Sequence, residues 1–78
     1  MKTKILVNLN TIEKIVRFSK VVITFDSNID IYQNSRRYNA KSILALFSLN
    51  MNKPHYIEIR SDDEDEIKLF NEITEEFK

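Results

Sequence analysis

Seventy-eight residues predict one domain spanning 1–78, and with no cysteine the chain has no disulfide or thiolate metal site to stabilise so small a core. The formal net charge is zero, which weighs against nucleic acid as a partner, and no stretch approaches the roughly 18 apolar residues of a membrane span. Glycine is absent, which excludes a glycine-rich phosphate loop and leaves every turn to Asn, Asp, Ser or Lys.

In chain order, residues 2–8 read as a first strand, built on the β-rich run Ile5-Leu6-Val7. Asn10 has the chemistry of an N-cap, with Glu13 placed to complete a capping box. From Thr11 to about Thr24 the residues Ile12, Ile15, Val16, Ser19, Val22 and Ile23 share one helical face, widened by Phe18, Val21 and Phe25. Asp26-Ser27-Asn28 is a turn, and Ile29 to Tyr32 alternates as a strand with one buried face. Asn34-Ser35 then forms a tight hairpin turn into the strand Arg36–Asn39, with some backbone strain expected for want of glycine. Ser42 opens a short, nearly all-apolar helix over Ile43–Leu49. Residues 50–54 are a loop, and His55 to Arg60 alternates as the last strand. Ser61 to Glu64 has capping-box spacing ahead of a helix carrying Ile67, Leu69, Phe70, Ile73 and Phe77. The order is βαββαβα, an α+β domain in which Ile5, Val7, Ile29, Ile31, Ile57 and Ile59 should face the core.

Charge is segregated along the chain. Residues 1–60 hold ten Lys/Arg and four Asp/Glu, whereas residues 61–78 hold two Lys/Arg and eight Asp/Glu. Attraction between the last helix and the rest is the ordinary expectation, and a basic face kept for an acidic partner is the sharper one. The opening Met1-Lys2-Thr3-Lys4 leads into too few apolar residues for a secretory signal, so a soluble cytoplasmic protein is expected.

The segment Arg36-Arg37-Tyr38-Asn39-Ala40-Lys41-Ser42-Ile43-Leu44-Ala45-Leu46-Phe47-Ser48-Leu49 resembles the strand–helix signature of HPr, the phosphocarrier of the bacterial sugar phosphotransferase system (PTS). Lys41, Ser42, Ile43, Ser48 and Leu49 match that pattern residue for residue, and the element order matches from residue 2 to 77. The resemblance implies a two-layer sandwich, with a four-stranded antiparallel sheet in the order 1-4-2-3 and three helices on one face. It also implies a bacterial protein with no cofactor and no enzymatic activity.

The match fails at the family's phosphoryl acceptor. HPr carries the phosphoryl group on a histidine at the start of its first helix, in a His-Ala-Arg-Pro context. An ungapped count back from Ser42 places that position at Thr11, within Thr11-Ile12-Glu13-Lys14. A threonine hydroxyl is not activated without a base, and Glu13 stands where an arginine would attract phosphate. The helix N-terminus could still hold an anion.

The resemblance implies a regulatory phosphorylation site at Ser42, where a dedicated kinase acts in HPr of many low-GC Gram-positive bacteria. An N-cap role explains the same serine. A phosphate there would meet the positive end of the helix and Lys41. Ile43, Leu44 and Phe47 match the apolar surface through which HPr contacts its partners, while Ala45, Leu46 and Leu49 supply an inward set. His55, the single histidine, reads as an ordinary surface residue. The acids from Asp62 to Glu66 suit a helix dipole better than a metal, and no metal site is expected. Arg36 and Arg37 read as protection for an edge strand.

The expectation is a non-catalytic HPr-like domain that binds a PTS or carbon-regulation protein through its second helix, without nucleic acid or membrane. The alternatives are a phosphocarrier with an unusual acceptor such as Thr11, and a small α/β domain binding an anion or metabolite at the first helix.

Overall fold

The computed structural model describes residues 4–78. The chain runs β1 (Lys4–Val7), α1 (Ile12–Val22), β2 (Asn28–Gln33), β3 (Arg36–Asn39), α2 (Ile43–Phe47), β4 (His55–Arg60) and α3 (Glu64–Thr74), closing on a 3₁₀ turn, Glu75–Phe77. The four strands form one antiparallel sheet in the order β1-β4-β2-β3. The element order is the one read from the sequence pattern, and the α+β sandwich has the strand order that the family resemblance implies. Residues 2 and 3, the start of the expected first strand, lie outside the described residues.

The sheet has one apolar face because strand side chains alternate. Ile5 lies opposite Ile57 and Ile57 opposite Ile31, while Ile59 lies opposite Ile29. All six residues expected to face inward are buried, Val7 among them. The helices close over this face with Ile15, Phe18 and Val22 from α1, Leu46 from α2 and Phe70 from α3. Two edge-to-face aromatic pairs lock the helical layer: Phe18 with Phe77, centroids 5.3 Å apart, and Phe25 with Phe70 at 5.6 Å.

The helix boundaries shift from the expected ones. Thr11, not Asn10, caps α1: its backbone is extended and its hydroxyl accepts the Lys14 N–H at 3.1 Å. The first helical bond runs from Ile15 N–H to the Thr11 carbonyl, so the cap falls one residue later. α1 ends at Val22, not near Thr24, and α2 ends at Phe47, not Leu49. The buried stripe of α1 is Ile15, Phe18 and Val22, which leaves Ile12 and Ile23 exposed. The helix is rolled so that the large Phe18 ring enters the core between Ile15 and Val22, and Ile12 and Ile23 are turned out.

α3 is capped by Asp63, not Ser61; its carboxylate accepts the N–H groups of Asp65 and Glu66. Ser61 has another task. It accepts the Asp63 N–H and donates to Glu66, which also takes the Ser27 hydroxyl. These bonds, Ser27's first, lower the Glu66 pKa. The acids Glu64, Asp65 and Glu66 occupy the first turn of α3, where the helix dipole favours them. Among the described residues, the acidic segment meets the basic body in one long exposed ion pair, Arg17–Glu76 at 3.9 Å. General charge attraction therefore contributes little to docking this helix.

The hairpin turn sits at Asn34 and Ser35, with φ of 53° and 64°, both in the left-handed region. That is the two-residue geometry in which asparagine followed by glycine is favoured. Serine at the second position carries Cβ strain that glycine lacks. Ser35→Gly should therefore raise stability by about 1 kcal/mol, read as a higher urea midpoint with an unchanged slope.

Candidate functional site

α2 is a five-residue helix held at both ends. At its start the Ser42 hydroxyl accepts the Ala45 N–H at 3.3 Å, and the Ser42 carbonyl accepts the Leu46 N–H at 3.1 Å. Lys41 reaches back to donate to the Phe25 carbonyl at 2.6 Å, which ties this end to the chain leaving α1. At the far end Ser48 donates its hydroxyl to the Ala45 carbonyl, and Leu49 folds under into the core. The helix is anchored through Leu46 and Leu49, and Ala45 is half-buried.

What remains faces solvent. Leu44 is 80% exposed, Phe47 47% and Ile43 40%. Ile43 and Leu44 follow Ser42 directly and Phe47 lies one turn on, and the three are the residues expected from the sequence to face outward. Three large apolar side chains on a helix of five residues form a contiguous patch that water solvates poorly. α1 packs beside α2 and carries the exposed Ile12 next to its Thr11 cap.

Thr11 is exposed, and its oxygen is engaged as the helix cap. Glu13 is exposed in the first turn. Arg36 and Arg37 lie on β3, the outer strand, as expected of edge protection. Elsewhere, an open groove of about 690 Å³ runs along β1 between Lys4, Asn8, Asn71 and Lys78, and draws on neither α1 nor α2.

His55 is not a surface residue; it is fully buried. It lies opposite Val7 and in phase with Ile57 and Ile59, so the strand alternation that buries them buries it. Its Nδ1 lies 2.6 Å from the Gln33 amide nitrogen. Burial lowers its pKa, while the Leu9 backbone pulls the other way. The signal was present in the sequence as the phase of residue 55; its partnership with Gln33 needed the tertiary register.

The family model described as the PTS HPr component phosphorylation site matches residues 13–78. The chain belongs to the HPr family. HPr proteins are phosphocarriers of the PTS and interact with other proteins of that system. The match begins two residues after Thr11, which lies outside it. Among solved structures, the chain is similar to HPr-C-His from Thermoanaerobacter tengcongensis, with a TM-score of 0.70 and 20% identity over 94% of this chain and 89% of that one. At that identity the likeness shows a shared fold. A comparison with curated proteins finds no match.

The exposures separate two phenylalanines. Phe47→Ala should cost about 1 kcal/mol, because roughly half of the ring is already in water. Phe18→Ala should cost about 3–5 kcal/mol, as expected for a fully buried aromatic. Chemical denaturation of the two variants side by side checks the difference.

Proposed function

We infer that this chain is a non-catalytic member of the HPr family, which docks a protein partner on Ile43, Leu44 and Phe47 and does not relay a phosphoryl group. The observation that carries the reading is the burial of its single histidine. Phosphoryl transfer between proteins needs an imidazole nitrogen that the donor's phosphate can approach in line. His55 sits beneath the sheet's helical layer at 0% exposure, and its Nδ1 is taken by Gln33.

Thr11 stands at the acceptor position on an ungapped count from Ser42. Its oxygen serves as a helix cap, and Glu13 adds negative charge where phosphate would approach. The docking half of the family's surface, by contrast, is intact: the apolar residues of α2 are exposed and held rigidly from both ends. A preorganised apolar patch binds at lower entropic cost than a mobile one. The partner is then a PTS or carbon-regulation protein with a complementary apolar surface. Ser42 is the regulatory position. A phosphate on its hydroxyl would displace the cap bond to Ala45 and set a double negative charge beside Leu44 and Phe47.

Two measurements test this. Incubation with phosphoenolpyruvate and the general phosphotransferase enzyme should leave the intact mass unchanged; a gain of one phosphoryl mass on Thr11 or His55 would restore the carrier reading. In calorimetric titration against the same enzyme, Leu44→Asp should weaken binding at least about tenfold. The same variant should change stability by less than about 0.5 kcal/mol. Unaltered binding by Leu44→Asp would remove α2 as the docking surface.

A further inference from the structure

The segment between α2 and β4 is hydrogen-bonded to the sheet through one side chain, while Met51 packs against the core beside it. Gln33, the last residue of β2, accepts the Asn50 N–H through its amide oxygen at 2.7 Å. Its amide nitrogen donates to the Asn50 carbonyl at 2.9 Å and lies 3.4 Å from the Lys53 carbonyl. The two bonds to Asn50 fix the orientation of the amide, because a flip would set nitrogen against N–H and oxygen against carbonyl. The nitrogen that faces His55 Nδ1 at 2.6 Å is therefore a donor, and Nδ1 must accept. His55 is thus neutral with its proton on Nε2, which makes no hydrogen bond of normal geometry.

We propose that His55 is an acid-sensitive pin for this segment: a proton taken from solvent at Nδ1 sets donor against donor at the Gln33 amide, and Asn50–Lys53 is released while the sheet stays intact. The arrangement leaves no alternative partner. The imidazole meets Val7 on β1, the Leu9 backbone beyond that strand and Gln33 at the end of β2, and the same Gln33 amide binds Asn50 and lies near the Lys53 carbonyl. Among the described residues, neither a carboxylate nor a cation acts on it. A charged imidazole buried there has only the Leu9 backbone to offset its desolvation and gains by opening a path to water.

The direction with pH follows. Buried His55 takes up a proton less readily than the ordinary histidine value of 6.5. The open segment therefore binds more protons than the closed one below that value. Closure is complete above it and weakens as the pH falls through the window beneath. The device does not depend on whether α2 has a partner.

Nitrogen-detected NMR of the full chain, titrated downward from pH 8, tests the proposal. At the high end His55 should show a protonated Nε2 and an unprotonated Nδ1. As the pH falls below 6.5, and until His55 has titrated, amide-exchange protection at Asn50 should fall by about tenfold per pH unit. Protection at Ile31 and Ile57 in the sheet should hold over the same range. His55→Gln, which can accept from Gln33 but does not titrate, should abolish the Asn50 response. If that variant does not fold, the contrast between Asn50 and the sheet amides in the unaltered chain decides. A proton on Nδ1 at high pH, or loss of Asn50 protection only in step with Ile31 and Ile57, would overturn the proposal.

Discussion

The inward isoleucines of the sheet, Ile5, Ile57 and Ile31 in one cross-strand row and Ile59 with Ile29 in the next, set the position of everything above them. Strand pairing is all or nothing at this surface. A slip of one residue would turn each isoleucine to solvent and bring Glu58 and Asp30 beneath the helices. Given that register, the helices have little freedom. Phe18 and Phe70 must sit over the isoleucines, and Phe77 and Phe25 meet them edge to face. The 3₁₀ turn that carries Phe77 also receives the Asn8 N–H at its carbonyl, which links the end of the chain to the end of β1.

Period-two alternation is a strong signal in a chain of this size, so strands, sheet face and hairpin were legible from the residues. The hairpin was marked by Asn34-Ser35 and the start of α2 by Ser42. The caps of α1 and α3 were harder, because each helix is preceded by two residues able to cap it: Asn10 and Thr11 in one case, Ser61 and Asp63 in the other. Local chemistry does not choose between such neighbours. The choice follows from which helical phase delivers Ile15 and Phe18, or Phe70 and Phe77, to the sheet. The roll of α1 was missed for the same reason, since a helix with apolar residues on much of its surface has several faces that could be buried.

The outward face of α2 was legible because a five-residue helix that sends Leu46 inward has to turn Leu44 and Phe47 away. His55 shows the opposite case. A lone polar residue at a strand start invites a surface assignment, yet its phase with Ile57 already placed it inside. What the phase could not supply is the amide that makes burial tolerable. Gln33 is distant in sequence and meets His55 only through the pairing of β2 with β4. Polar groups in the core are satisfied by tertiary register, and a linear pattern does not contain it.

A chain with no glycine differs from most small domains before it folds as well as after. Glycine widens the conformational ensemble of an unfolded chain more than any other residue. Its absence means that every position here loses less backbone freedom on folding than a glycine would. The cost of that economy is concentrated at Asn34 and Ser35, where the fold calls for left-handed backbone and the sequence meets it with side chains. Part of the stability of this small sandwich therefore resides in the narrowness of its denatured state, which no contact in the folded molecule records.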